Sequence, residues 1–276
     1  MDIVKLVEFA KAWELFDKVD WQYQQVVSDF NFGDIDWFLH IKNIVDFNQI
    51  DKSKKTLFIL DKLLVENISD YFDMKNFTIL DMNFWISWYG KKIWMSILDI
   101  GDLIKKDIDV YEPLDLISML YYLEKDGKNY LRINNFDLPS NFVYDNEVIE
   151  VFSLENHWFS GDNFTIVTSW AMLPEIVRAA HLLNENWIFV DIVVLNKLNF
   201  KENECLLKNK NLIFVIDLMV SNLYEEWVRD NIKLSNIMFI YPKYDNLTTV
   251  LDEYINEETN FDARLLFKRI SELKKQ

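Results

Sequence analysis

Residues 163–195, NFTIVTSWAMLPEIVRAAHLLNENWIFVDIVVL, predict a strand, a helix and a second strand. Residues 164–168 and 189–195 are short apolar runs, of the kind that is buried in parallel sheets. Between them, residues 173–184 place apolar side chains three or four positions apart, as on the buried stripe of a helix. Two parallel strands joined through a helix are the repeating unit of α/β proteins.

The same alternation runs along the rest of the chain. Further strands are predicted at residues 25–29, 55–60, 77–80, 109–111, 129–133, 212–216 and 236–241. Further helices are predicted at residues 114–125 and 262–274. Residues 136–150 show no periodicity and contain turn-forming Asn, Pro and Ser. We therefore expect two α/β domains, each a mainly parallel sheet flanked by helices: residues 1–137, a linker at 138–150, and residues 151–276.

Composition excludes several classes of partner. The 276 residues carry a net charge of −16, which should repel nucleic acid and anionic membranes. No apolar run reaches the ~18 residues of a membrane-spanning helix. The single cysteine, Cys205, excludes an internal disulfide and is typical of a reducing compartment. These features favour a cytoplasmic protein.

Several motifs carry a resemblance to a known family. Residues 163–195 are similar to the opening of a transketolase C-terminal domain, with its glycine turn before the helix. In the first half, residues 28–33 (SDFNFG) look like that family's Gly-Asp-Leu-Gly-Phe-Gly turn. Residues 111–115 (YEPLD) and 126–132 (DGKNYLR) resemble Val-x-Pro-Ala-Asp and Asp-Gly-Pro-Val-Tyr-Leu-Arg. Together they resemble a shortened C-terminal half of a split transketolase: a pyrimidine-binding domain followed by a transketolase C-terminal domain.

The resemblance implies transfer of two-carbon ketol groups in carbohydrate metabolism, with thiamine diphosphate and magnesium as cofactors. It implies cofactor-binding roles for Asp29, Phe32 and Gly33, and it places Asp51 where the family has its catalytic glutamate. The chain has no Gly-Asp-Gly segment, which in the family holds the metal and the diphosphate. We therefore expect no metal ligand in this chain, and cofactor binding only with a diphosphate-domain subunit. Oligomerisation, with that subunit or as a homodimer, is expected.

Departures from the family pattern leave other functions open. Asp51 is one methylene shorter than glutamate, the helix expected after it has no room before residue 55, and Trp94-Met95 replace a histidine pair. A non-catalytic structural or regulatory relative is one alternative. The E1 beta subunit of a 2-oxoacid dehydrogenase and half of a deoxyxylulose phosphate synthase share the same expected architecture.

Tryptophan stands at several positions where the family has glycine. Trp170 and Trp187 occupy two such turns, and Trp85 and Trp88 lie in a loop that is glycine-rich in the family. The whole chain has 5 glycines and 10 tryptophans. Two explanations stay open: a diverged, aromatic-rich protein, or a gene from a genome that reads UGA as glycine and is translated here as tryptophan.

Overall fold

The computed structural model contains two large sheets with helices packed on them. It describes residues 22–28, 38–40, 44–60, 67–81, 87–89, 92–94, 98, 100–113, 116–132, 148–152, 164–200, 211–216, 222–232, 236–240 and 262–274. Nine of its strands have only parallel partners in the two large sheets. The expected α/β fold with mainly parallel sheets is confirmed.

The first sheet has six parallel strands in the order β2-β1-β3-β4-β8-β7. Their bounds are Gln25–Ser28 (β1), Phe38–His40 (β2), Thr56–Leu60 (β3), Phe77–Asp81 (β4), Asp109–Tyr111 (β7) and Lys128–Arg132 (β8). A separate hairpin pairs Ser87–Tyr89 (β5) with Lys92–Trp94 (β6). The short apolar runs thus form strands as predicted, whereas β2 and the hairpin were not anticipated.

The second sheet has five strands in the order β13-β12-β10-β11-β9. Their bounds are Val148–Phe152 (β9), Phe164–Thr168 (β10), Val190–Leu195 (β11), Asn211–Val215 (β12) and Asn236–Ile240 (β13). Strand β9 pairs antiparallel with β11, and the other pairs are parallel. The last three residues of the predicted linker, 148–150, belong to β9, and the domain boundary itself stays a prediction.

Helices cover these sheets. Their bounds are Ile100–Lys105 (α1), Leu116–Leu123 (α2), Leu173–Glu185 (α3), Asn222–Asn231 (α4) and Ala263–Leu273 (α5), with 3-10 turns at Ile44–Gln49, Ile68–Tyr71 and Trp170–Met172. Helix α5 is capped by Asp262, whose carboxylate accepts a 2.7 Å hydrogen bond from the backbone N–H of Leu265. No helix in the described parts of the chain is long and apolar enough to cross a membrane.

A single hydrophobic core passes from one half of the chain to the other. It contains Phe77 and Val110 from the first sheet together with Val193 and Phe214 from the second, all at most 1% exposed. Helix α1 lies against α4 across the same boundary. Each half therefore buries part of its apolar surface on the other half.

Candidate functional site

The topology of the first sheet indicates where a ligand would bind. In parallel α/β sheets, ligands bind beyond the carboxyl ends of the strands, where successive connections leave in opposite directions. Here the chain passes from β1 outward to β2, and from β3 to β4 on the other side, so this point lies between β1 and β3. Asp29, Phe32 and Gly33 follow the carboxyl end of β1. They lie outside the described residues, and their role in cofactor binding stays a prediction.

Asp51 lies at the opposite, amino-terminal edge of this sheet. Its backbone N–H donates a 3.2 Å hydrogen bond to Oε1 of Gln25, the first residue of β1. Strand β3 begins at Thr56, shortly after Asp51, and its five residues span about 16 Å before the carboxyl edge is reached. The topology therefore separates Asp51 from the edge at which ligands bind in such sheets.

The Asp51 carboxylate is exposed and is engaged within its own turn. Its Oδ1 accepts hydrogen bonds from the hydroxyl of Ser53 at 2.7 Å and from the backbone N–H of Ser53 at 3.0 Å. These bonds lower the pKa of Asp51 below its usual value. The side chain is therefore an ionised, solvated turn former, as Asx residues commonly are.

The next residue anchors this turn. The Lys52 ammonium donates to the carbonyl of Asp70 at 2.7 Å and to the carboxylate of Asp73 at 3.1 Å. It also lies 5.1 Å from the ring centroid of Tyr71. A movement of Asp51 toward the carboxyl edge would break these contacts as well as the bond to Gln25.

A buried charged cluster occupies the carboxyl edge instead. Asp81 ends β4, Arg132 ends β8, and the two are paired in register. Glu112 follows β7, which lies on the other side of β8. All three residues are fully buried, with 0% exposure. The Tyr130 hydroxyl donates to Oδ2 of Asp81, and Nη1 of Arg132 lies 3.6 Å from Oε2 of Glu112.

The charges of this cluster stabilise one another. A guanidinium stays protonated at any accessible pH, and moving it out of water costs several kcal/mol unless a carboxylate compensates it. Glu112 provides that compensation for Arg132. The cluster therefore holds three strand ends in a fixed arrangement beside the predicted ligand crevice, with its guanidinium directed to a partner within the chain.

The sequence alone does not bring these residues together. Glu112 and Arg132 lay in two separate family motifs, and Asp81 follows the predicted strand 77–80 directly. The available signal was a polar residue at the end of each strand, but strand order is needed to make those ends neighbours. Asp46 is a further missed carboxylate: it is the first acidic residue after β2, and it is partly buried in the first turn of Ile44–Gln49.

Among the described residues, no group of three or more His, Cys, Asp or Glu side chains is arranged to hold a metal ion. The Asp51 carboxylate is bound to Ser53 at the amino-terminal edge, and its role against the aminopyrimidine ring stays a prediction. His181 is exposed on α3.

Trp187 stands at a backbone position that favours glycine. Its φ is +60°, in the left-handed region, and its side chain is 65% exposed. It follows Asn186, which caps α3, and its own N–H donates to the carbonyl of Asn184 at 3.0 Å. This is the C′ position of a Schellman motif, which is most often glycine. The left-handed backbone at position 187 therefore agrees with the glycine that the transketolase family has at this turn.

Trp170 stands in a different environment. It does not have a positive φ, it is 0% exposed, and its indole N–H donates to Oδ1 of Asn196. The tryptophan side chain is thus a packed and hydrogen-bonded part of the core. Trp85 lies outside the described residues, and Trp88 lies in β5, where only the backbone is described.

Comparison with known proteins rests on structure. No protein-family model matches the sequence, and no curated protein matches it. A split-gene transketolase, described as an inactive beta4 tetramer, has a TM-score of 0.65 at 13% identity, covering 95% of this chain and 97% of that one. The transketolase of Campylobacter jejuni has a TM-score of 0.55 at 12% identity, covering 79% and 35%. That of Pichia stipitis, in complex with sedoheptulose-7-phosphate, has 0.56 at 13%, covering 79% and 34%.

The extent of these matches differs in an informative way. The chain spans about a third of the length of the Campylobacter and Pichia enzymes, but almost all of the split-gene chain. At identities this low, the likeness establishes the fold and nothing finer. This chain has a transketolase-like fold.

Proposed function

We propose that the chain is a transketolase-like subunit that corresponds to the C-terminal half of a split ketol transferase. The observation that carries the proposal is the near-complete mutual coverage with the split-gene transketolase, 95% and 97%, which includes both sheets. A chance likeness of one α/β domain would not extend across two sheets and the boundary between them. The motifs at residues 111–115 and 126–132 agree with this assignment.

The same proposal includes a partner. The split-gene relative is described as an inactive beta4 tetramer. We infer that this chain likewise associates with copies of itself, and that it becomes active only with a subunit that supplies the diphosphate and magnesium ligands. Thiamine diphosphate would be bound by that assembly, as the resemblance to split transketolases implies.

A non-catalytic role is the second candidate, and the position of Asp51 favours it. A general acid or base must lie within hydrogen-bond reach, roughly 3 Å, of the group that it serves. Asp51 is held at the amino-terminal edge by Gln25 and engaged by Ser53. If no other carboxylate acts as the general acid or base, the chain associates with other subunits but does not catalyse ketol transfer.

The decisive experiment combines the chain with its candidate diphosphate-domain subunit. Complex formation is measured by light scattering coupled to size exclusion, and ketol transfer from a ketose phosphate to an aldose phosphate is measured with thiamine diphosphate and magnesium. We expect a complex, and no micromolar cofactor binding to the chain alone. Failure to associate with either itself or the subunit would refute the proposal.

Substitutions then separate the two candidates. Asp51→Asn is compared with Asp73→Asn, a matched change at another exposed carboxylate of the same surface. A large loss of ketol transfer in Asp51→Asn alone would assign catalysis to Asp51, against its position here. Equal activity of both variants would support an enzyme that uses another carboxylate. A complex without activity in any variant would support the non-catalytic role.

A further inference from the structure

The edge strands of the two sheets are protected in different ways. On the outer side of β7, Tyr111 forms an antiparallel bridge with Lys197, and the carbonyl of Val110 accepts a 2.8 Å hydrogen bond from the backbone N–H of Leu198. Strand β13 is the last strand on its side of the second sheet, and within the described ranges no other strand pairs with its outer side. The side chain of Arg229, in α4, contacts that side instead.

The backbone groups of β13 alternate between its neighbour β12 and the outer side. The carbonyl of Ile240 accepts a hydrogen bond from the N–H of Ile216, which follows β12, so Ile240 directs its backbone groups to β12. Successive residues of a strand direct their N–H and C=O groups to opposite sides, so those of Ile237 and Phe239 face outward. An edge of this kind is a template for pairing with another strand.

Arg229 covers part of this outer edge. Its Nη2 donates a 3.2 Å hydrogen bond to the carbonyl of Ile237, and its guanidinium lies 5.5 Å from the ring centroid of Phe239. The same Nη2 lies 3.9 Å from Oε2 of Glu225, one helical turn earlier. The Arg229 side chain is 50% exposed, so it can turn into water without opening the core.

We propose that the outer edge of β13 is a pairing surface for β13 of a second copy of this chain, and that Arg229 closes it. An antiparallel pair centred on Met238 brings Ile237 of each copy opposite Phe239 of the other. Both residues direct their backbone groups outward, so each opposed pair exchanges both N–H···O bonds. The edge is thus complementary to itself, as an interface across a two-fold axis must be.

The exposure of Met238 agrees with this occupant. Its side chain is 39% exposed, whereas Ile237 and Ile240 of the same strand are buried. In the proposed pair, Met238 lies opposite Met238 of the second copy, at a position without backbone hydrogen bonds, where opposed side chains come closest. Pairing therefore covers an apolar side chain that one copy alone leaves in water.

Arg229 and a second strand compete for the same carbonyl. A paired strand donates a backbone N–H to the carbonyl of Ile237, where the guanidinium lies in this structure. Each copy must therefore give up this hydrogen bond before the strands pair, and removal of the guanidinium should open the edge. The inference is independent of the function proposed above, because assembly through other surfaces leaves this edge unchanged.

Cysteine cross-linking tests the pairing at one defined position. In a Cys205→Ser background, Met238→Cys places two sulfurs across the pair at a Cα separation of about 4.5 Å, which a disulfide can span. Asn236→Cys is the matched control, because Asn236 is exposed on the same strand but lies opposite Ile240 in this register. With Arg229→Ala in both proteins, we expect a disulfide-linked dimer at position 238 and much slower cross-linking at position 236.

Comparison with the unsubstituted Arg229 tests the closure. Arg229→Ala should speed cross-linking of Met238→Cys at least about tenfold, since neither copy then gives up a charge-assisted hydrogen bond. Arg178→Ala should leave the rate unchanged; Arg178 is likewise exposed and paired with a carboxylate of its own helix. Both substitutions make the chain more negative, which by itself opposes association, so a faster rate in Arg229→Ala alone comes from the edge.

Two further variants keep the test decisive. Arg229→Gln, which is neutral but keeps part of the side chain, replaces Arg229→Ala if that variant does not fold, and the same acceleration is expected. In sedimentation velocity, Met238→Lys should abolish the additional association of Arg229→Ala, because like charges opposite each other destabilise a strand pair. Equal cross-linking at positions 236 and 238, or a rate that does not depend on Arg229, would overturn the proposal.

Discussion

The backbone N–H of Ile188 donates a 3.0 Å hydrogen bond to the carbonyl of Leu183, enclosing Trp187 in a left-handed turn. Ile188 and Leu183 are both buried in the core under the second sheet. The end of α3 therefore has the two hydrogen bonds and the apolar contact of a Schellman motif. Only the side chain at its left-handed position is unusual, and Asp107 occupies the same position after α1, with φ of 59°.

Trp187→Gly should stabilise the protein. A left-handed conformation costs an L-residue about 1–2 kcal/mol, and glycine loses roughly 0.5–1 kcal/mol through its larger unfolded-state entropy. The expected net gain in the free energy of unfolding is therefore between 0 and about 1.5 kcal/mol, measured by urea denaturation. Trp187→Ala is the control, because it removes the exposed ring but keeps the strain; an equal gain there would show that the backbone is not the cause.

Trp170→Gly should have the opposite effect. The indole is fully buried and hydrogen-bonded to Asn196. Removing a buried large side chain typically costs about 3–5 kcal/mol, which is a large part of the 5–15 kcal/mol that stabilises an ordinary domain. The same urea titration measures it. A loss below about 1 kcal/mol would mean that the surroundings close over the space, and that this turn accepts glycine as the family does.

The double variant with Trp170→Gly and Trp187→Gly tests whether UGA encodes glycine in the natural gene. If the natural protein carried glycine at both positions, the double variant should be at least as stable as the tryptophan form. If Trp187→Gly stabilises the protein and Trp170→Gly destabilises it, the fold favours glycine at position 187 and tryptophan at position 170. Peptide mass spectrometry of the protein from its source identifies the residue at each position directly.

Alkaline pH should destabilise the fold through buried tyrosines. Burial raises the pKa of Tyr23 and of Tyr224 above the value near 10 of an unfolded tyrosine. Above that pH, the unfolded state releases protons that the folded state retains, so stability falls as pH rises. Tyr23→Phe should reduce this dependence, measured as the slope of unfolding free energy against pH.

Tyr121→Phe is the control for that experiment. Tyr121 is 38% exposed, so its substitution removes a phenol hydroxyl that is not buried and controls for the loss of a hydroxyl as such. The Tyr23 hydroxyl also donates to the carbonyl of Leu123 at 2.7 Å, so Tyr23→Phe should cost about 1 kcal/mol at neutral pH as well. An unaltered slope in Tyr23→Phe would show that this phenol ionises equally in both states.

The two halves should not fold independently. The shared core places Phe77 and Val110 in contact with the same cluster as Val193 and Phe214, and α1 lies against α4. We expect fragments 1–147 and 148–276 each to lack near-ultraviolet circular dichroism and to regain it when mixed. A native-like spectrum of either fragment alone would show that its own core suffices.

Much of the fold follows from the sequence because local patterns specify strands and helices. The run at residues 164–168 and the helical spacing at 173–184 each depend on neighbours along the chain, and both elements formed as predicted. Strand β2, with three residues, and β9, which begins inside the predicted linker, were not recognised from their local sequence. Their formation depends on β1 and β11, which lie beside them in space.

The candidate site was less predictable for the same reason. Asp51 was selected by its position along the sequence, but the edge of a sheet on which a residue lies depends on how the chain returns to the next strand. Since residue 51 precedes β3 by a short turn, it belongs to that strand's beginning. The sequence could not show that Arg132 and Glu112 are neighbours, because their proximity depends on the strand order β4-β8-β7.

The pairing of residues 196–199 with the outer side of β7 has a consequence for the chain during its synthesis. Strand β7 is the last strand of its sheet, and its outer N–H and C=O groups are covered by residues 196–199. Those residues emerge from the ribosome after β7, and at about 5–20 residues per second the delay is on the order of 4–20 seconds. During that interval a nascent chain presents an open strand edge, which is a template for pairing with another chain. Expression yield should therefore depend on protection of this edge, by chaperones or by low temperature, until the second half is complete.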